Sequence, residues 1–245
     1  MNKSTATPIV EYWCVGASCC DAVWEAAYQR FETPDQERRK FSQRLRWAGF
    51  HQFPKTWHIA ELFCGRGQSL QVLESWGYSH LYGVDLSPQL LQQYRGSARL
   101  FVGDCQQLGW PDNYLDAVII QGGLHHLPDL NQSLPAVCAE LTRVLKPGGL
   151  FFLVEPWLTP FLHLVHTCCR SATLRQLWPR LDALQTMIQR EEKTYSAWLT
   201  HPTLIITILR QHFTPLKLTQ SWGKLKLLAF NPKTSPSRLS SPSSP

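Results

Sequence analysis

The sequence predicts an α/β protein: a mostly parallel sheet of seven strands with helices on both faces. Three observations carry this. Strand-like and helix-like segments alternate from Trp57 to Val154, one apolar run is uninterrupted, and turn residues fall where the alternation needs them.

Taken in order, residues 21–47 show apolar spacing of three and four, with Val23, Ala26 and Ala27 followed by Phe41 and Leu45. Thr33-Pro34-Asp35 supplies a turn between them, so two helices precede the core. Pro54 marks a break, and Trp57 to Phe63 reads as the first strand. A helix near Ser69 to Trp76 follows, then a strand at Leu81 to Val84 and a helix after Ser87-Pro88, where Ser87 suits an N-cap and Pro88 the first helical position. Leu100 to Val102 is the next strand. Ala117-Val118-Ile119-Ile120 is apolar at consecutive positions, as in a central strand covered on both faces. The helix from Leu134 to Leu145 ends at Pro147-Gly148-Gly149, and its apolar residues Leu134, Val137, Cys138, Leu141, Val144 and Leu145 are assigned to packing. Leu150 to Val154 is the fifth strand.

Beyond Glu155 the pattern becomes helical to about Phe213, and Leu216 to Ser221 with Leu225 to Phe230 reads as an antiparallel hairpin about Trp222-Gly223. The organisation expected is a helical segment over 1–56, a core over 57–230 with a helical insertion over 157–212, and a disordered Ser/Pro-rich tail over 231–245. The insertion is expected to form a lid, its residues Trp157, Trp178 and Trp198 suggesting an apolar or ring-shaped ligand.

Net charge is +6, but the basic residues are spread along the chain, so no nucleic-acid partner is expected. The densest basic stretch, Arg38, Arg39, Lys40, Arg44 and Arg46, reads as a solvated helix face. Eight cysteines include no C-x-x-C pair, which favours buried reduced thiols. His163-x-x-His166-x-Cys168-Cys169 places ligand types on neighbouring helix turns, yet no metal is expected there. No secretory signal precedes Val10, and no stretch reaches about 18 apolar residues. A cytoplasmic location is expected, with peripheral membrane contact left open and oligomeric state unread.

The chemistry concentrates at strand ends. Glu61-Leu62-Phe63-Cys64-Gly65-Arg66-Gly67 is an acidic strand end followed by two glycines before a helix, a turn in which main chain can approach a ligand. Asp85 ends the next strand, eighteen residues past Gly67, where a carboxylate can accept ribose hydroxyls. Gly103-Asp104-Cys105 follows the strand after that. Parallel sheets bind ligands at this carboxyl edge, so Glu61, Asp85 and Asp104 are expected around one nucleoside. Gly122-Gly123-Leu124-His125-His126 follows the fourth strand. His125 and His126 are therefore candidates for proton transfer, with a structural loop role as the alternative. Glu155 is read either as facing a substrate or as a surface turn, and Arg66 as an exposed start to its helix.

These motifs resemble the class I S-adenosylmethionine-dependent methyltransferases, of the broad small-molecule, type 11-like group, from about Trp57 to Glu155. Leu115 to Gln121 and Leu145-Lys146-Pro147-Gly148-Gly149 are similar to that family's fourth strand and its turn into the fifth. The resemblance implies a Rossmann-like sheet, S-adenosyl-L-methionine as cofactor and a small-molecule methyl acceptor. It implies that Glu61, Gly65 and Gly67 line the methionine end, with Gln121 also among the cofactor contacts. Asp85 would then hold the ribose, and Asp104 and the Cys105 backbone would meet the adenine. Phe63 departs from the pattern, standing where the family most often has a glycine.

Two other readings compete. A nicotinamide dehydrogenase shares the glycine turn and ribose carboxylate, but Leu70 stands where its third glycine is expected. A noncatalytic interaction protein that still binds the adenosyl cofactor is the other, since a fold does not determine an activity.

Overall fold

Residues 10–13 and 21–233 are described by the computed structural model, and within them eight strands form one sheet. In chain order the strands are β1 (Val10–Tyr12), β2 (His58–Leu62), β3 (His80–Asp85), β4 (Arg99–Val102), β5 (Leu115–Gln121), β6 (Leu145–Pro156), β7 (Thr214–Ser221) and β8 (Lys224–Phe230). The helices are α1 (Ala22–Phe31), α2 (Pro34–Ala48), α3 (Gln68–Ser75), α4 (Pro88–Leu91), α5 (Leu130–Val144), α6 (Pro160–Arg170), α7 (Ala172–Leu177), α8 (Pro179–Arg190), α9 (Glu192–Thr200) and α10 (Pro202–His212). Across the sheet the order is β1-β4-β3-β2-β5-β6-β8-β7. It is parallel from β1 to β6 and antiparallel through the closing hairpin. The seven expected strands are present, and β1 adds an eighth at the edge of β4, pairing Glu11 with Phe101. Three residues are too few to carry a periodic signal.

β5 lies between β2 and β6, and its residues Ala117 to Ile120 are all fully buried. Alternation sends Val118 and Ile120, with Ala60, Leu62, Phe151 and Leu153, to the face covered by α5 and α10. Ala117 and Ile119, with Ile59, Phe152 and Val154, go to the face covered by α2 and α3. Each fully buried aliphatic side chain contributes roughly 1.5–3 kcal/mol. An uninterrupted apolar run is stable only where both faces are covered in this way.

Local chemistry sets the helix ends. Thr33 and Gln36 form a reciprocal capping box, Pro34 occupies the first turn of α2, and Gly49 closes that helix at φ 92°. Ser87 caps α4 through Leu90 N–H at 3.2 Å. The helix α5 stops at Val144, earlier than the Pro147-Gly148-Gly149 signal, because Leu145 already pairs with Leu115.

Several expectations are corrected by packing. Trp157 and Trp198 are buried in the core, with Trp198 Nε1–H donating to Pro156 O at 2.8 Å, so neither lines a lid; Trp178 is exposed. Asn231, the first residue of the expected tail, is fully buried and donates through Nδ2 to Thr142 O and Leu145 O. Residues 234–245 of that tail, together with Cys14, Cys19 and Cys20, lie outside the described residues. Cys64, Cys105, Cys138 and Cys169 are buried free thiols. Among the described residues, no helix is long and apolar enough to cross a membrane.

Candidate functional site

The turns after β2, β3, β4 and β5 converge at the carboxyl edge of the sheet. Glu61, near the end of β2, is almost fully buried. Gln121, at the end of β5, donates through Nε2 to Ser69 Oγ at 3.1 Å and, more weakly, to Glu61 Oε1 at 3.5 Å. Glu61 Oε2 and Gln121 Oε1 are buried acceptors with no hydrogen-bond partner. Burial pushes the Glu61 carboxyl up to about 8, against the downward pull of its hydrogen bonds to Ser69 and Gln121. Two donorless acceptors side by side suit a cationic ligand group.

The glycine turn has a steric basis. Gly65 and Gly67 both have positive φ, and a Cβ on Gly67 would lie 2.4 Å from the Tyr94 ring. Phe63 also has positive φ, at 54°, a conformation that glycine adopts without strain; this gives a backbone reason for the family's glycine at that position. Its ring occupies the space left by Gly123, where an added Cβ would meet it at 2.3 Å.

Asp85 accepts Gly65 N–H through Oδ2 at 2.8 Å and Ser87 N–H through Oδ1 at 2.9 Å, which fixes the carboxylate across the two turns. Burial raises its pKa, partly offset by those two N–H groups. A carboxylate has about four acceptor sites, so lone pairs remain for further donors. Asp104 accepts Gln106 N–H at 2.9 Å, and the neighbouring Cys105 thiol is buried, its pKa pushed up by burial and then by Asp104.

His125 is buried on a short 3-10 turn (Leu124–His126), with Nδ1 2.6 Å from Glu155 Oε2. Glu155 is fully buried, not a surface turn, and its Oε1 accepts Gly123 N–H at 2.7 Å and Leu124 N–H at 2.8 Å. Burial alone would raise that carboxyl, yet His125 and the two N–H groups hold it below its ordinary value. A carboxylate on Nδ1 places the proton there and leaves Nε2 as the acceptor. His126 Nδ1 lies 2.9 Å from Glu191 Oε2, and His125 Nε2 lies 3.8 Å from Glu191 Oε1. Ligand atoms of His125, His126 and Glu191 lie within 4.8 Å of one another, a geometry able to share a proton or hold an ion. In the segment proposed from sequence spacing, His166 instead meets the Tyr195 hydroxyl at 3.1 Å.

Residues not found from the sequence close the site. On α1, Glu25 accepts the Ser87 hydroxyl at 2.7 Å, Trp24 donates to Glu191 at 3.2 Å, and Tyr28 Oη lies 3.8 Å from where a Gly65 Cβ would stand. Arg66 is buried, not exposed. It pairs with fully buried Glu37 at 2.8 Å and donates to Glu32 O at 2.9 Å. Glu37 also accepts the Tyr28 hydroxyl. Only tertiary packing brings α1, α2 and Glu191 here, so no local spacing announces them.

A parallel sheet with acidic strand ends and a glycine turn gathered at its carboxyl edge defines an α/β protein of the kind that binds ligands at that edge. Residues 61–153 match the model of a family described as methyltransferase domain. The chain is 46% identical over 54 residues to the ubiquinone/menaquinone biosynthesis C-methyltransferase UbiE of Caulobacter vibrioides, which covers 22% of this chain and 20% of that protein. It is 33% identical over 108 residues to the demethylmenaquinone methyltransferase of Listeria welshimeri, covering 40% and 44% respectively. It thus spans less than half the length of these curated relatives. The solved PH0226 protein from Pyrococcus horikoshii shares the fold with a TM-score of 0.64 at 20% identity, over 87% of this chain and 100% of that one. The N-methyltransferase NodS from Bradyrhizobium japonicum, solved with S-adenosyl-l-homocysteine, gives 0.56 at 16% identity, over 87% and 100%.

Proposed function

We propose that this chain transfers a methyl group from S-adenosylmethionine to a small-molecule acceptor that carries a ring. The observation that supports this best is the pair of buried acceptors without donors, Glu61 Oε2 and Gln121 Oε1, on the same sheet edge as Asp85 and Asp104. Glu61 and Gln121 suit the amino-acid end of the cofactor, Gly65 and Gly67 give it room, Asp85 suits the ribose and Asp104 with the Cys105 backbone the adenine. When bound, the cofactor supplies an electrophilic methyl group on a sulfonium centre.

The remaining residues handle the acceptor. Glu155 orients His125, whose Nε2 takes a proton from the acceptor hydroxyl or acidic C–H as the nucleophile forms, and Glu191 steadies the resulting positive charge. Trp24, His126 and Tyr195 surround this point and favour a flat ring. The names of the relatives from Caulobacter and Listeria point to quinone rings as the first acceptors to try.

Calorimetric titration tests the assignment. Wild-type chain is expected to bind S-adenosylhomocysteine saturably, and Asp85→Ala to bind it about a hundredfold more weakly, the loss of two charge-assisted hydrogen bonds at roughly 1.5 kcal/mol each. Binding of NAD alone would restore the dehydrogenase reading. Adenosyl binding without turnover on any acceptor would restore the interaction module.

A further inference from the structure

The basic stretch of α2 is not simply a solvated face. Between α2 and the β6–β8 ladder, at the carboxyl end of β6, lies a cavity of about 210 Å³ lined by Lys40, Arg44, Trp47, Trp222, Lys224 and Lys226 among others. Lys40 and Arg44 are one helical turn apart, and Lys224 and Lys226 share one face of β8, opposite Pro156 and Val154 of β6. The carboxylates that face this cluster are engaged: Glu32 with Lys40, Glu37 with Arg66 and Glu155 with His125. No described carboxylate therefore forms an ion pair with Arg44, Lys224 or Lys226. Burial, with Arg44 and Lys40 beside it, pulls the Lys224 ammonium down to about 8, and the nearby Glu155 and Glu32 offset only part of this.

Trp222, 77% exposed in the β7–β8 turn, lines the same cavity and continues into an apolar surface. Its ring meets that of Phe161 at 5.3 Å, and Leu158 and Leu164, both more than half exposed, adjoin Phe161 in the chain. The turn is fixed in place: Gly223 N–H donates to Thr159 Oγ1 at 3.0 Å, and Gly223 O accepts Trp157 N–H at 2.9 Å. A cationic pocket bordered by fixed, exposed aromatic and aliphatic side chains matches the layering of an anionic bilayer surface, negative headgroups above an apolar boundary.

We infer that this face docks on an anionic lipid surface, a lipid phosphate entering the Lys40–Arg44–Lys224–Lys226 pocket while Trp222, Phe161, Leu158 and Leu164 enter the boundary with the acyl chains. Docking needs no cofactor, so it stands or falls separately from methyl transfer.

Co-sedimentation of the full chain with phosphatidylcholine vesicles, with and without phosphatidylglycerol, tests it. The chain is expected to bind the anionic vesicles and not the neutral ones, and to be released by salt. The Arg44→Gln/Lys224→Gln variant is expected to bind about thirtyfold more weakly. Trp222→Ser, at an exposed position where folding is undisturbed, is expected to weaken binding without altering its salt dependence. Absence of vesicle binding, or binding unchanged in both variants, would overturn the inference. So would saturable binding of inorganic phosphate by a chain that ignores vesicles, which would make the pocket a site for a soluble phosphorylated ligand.

Discussion

Replacing Arg66 with alanine is expected to destabilise the fold by about 3–5 kcal/mol. Glu37 is fully buried and its charge is matched by Arg66 at 2.8 Å, so the substitution leaves a carboxylate without a counter-charge in the interior. It also removes the donor to Glu32 O and the cation over the Tyr28 ring, 4.9 Å from its centroid. For a chain of this size the cost corresponds to a fall in Tm on the order of 10 °C, readable by calorimetry. The pair itself contributes far less than its breakage suggests, because both charges were desolvated to form it. Glu37→Met/Arg66→Met is therefore expected to recover most of the lost stability. A single Arg66→Ala chain that melts within about 1 °C of wild type would show that Glu37 finds water or another cation, and that α2 does not hold the glycine turn in this way.

Glu155→Gln is expected to lower kcat/KM by about 10²–10⁴ while leaving S-adenosylhomocysteine affinity nearly unchanged. Glutamine can still accept from Gly123 and Leu124 N–H with one oxygen, so the loop is retained. Its amide nitrogen, however, faces His125 Nδ1 and donates there, which moves the imidazole proton to Nε2 and removes the acceptor that the proposed proton transfer needs. The two readouts separate positioning from structure: a collapsed loop would lower cofactor affinity and kcat/KM together, whereas a wrong tautomer lowers only the rate. An unchanged rate would exclude His125 as the base.

Where the chemistry depended on neighbours in sequence, the residues were readable. Glu61, Gly65, Gly67, Asp85 and Asp104 each end a strand or open a helix, so periodicity alone brought them to one edge. His125 was readable for the same reason, but its partner was not. Glu155 lies among the last residues of β6, where the sequence signal for the strand has already ended, and nothing local distinguishes a carboxylate buried under the 122–125 loop from one at a surface turn. Trp157 and Trp198 carry no local signal that says whether they face a ligand or the core; both pack on the sheet, and the aromatic wall near His125 comes from Trp24 and Tyr195 instead. Arg66 looked exposed because its partner is 29 residues away on α2. The basic residues of α2 split between water and the cavity for a similar reason: β8, which supplies Lys224 and Lys226, lies far away in the chain.

Glu61 is proposed to receive the charged amino group of the cofactor, and proton-linked binding tests this most directly. A free carboxyl titrates near 4.3, while that of Glu61 is raised to about 8 in the fold. Below the lower value both states are protonated and the folded group makes its full contribution. That contribution is lost as pH rises through about 8, since the folded chain keeps a proton the unfolded chain has released. An ammonium at Glu61 Oε2 favours the carboxylate and expels this proton. Calorimetry of S-adenosylhomocysteine binding near pH 7, in two buffers of different ionisation enthalpy, is therefore expected to show release of close to one proton, with affinity rising toward pH 8 and the release abolished in Glu61→Gln. Binding with no proton exchange, or the same exchange in Glu61→Gln, would contradict the assignment.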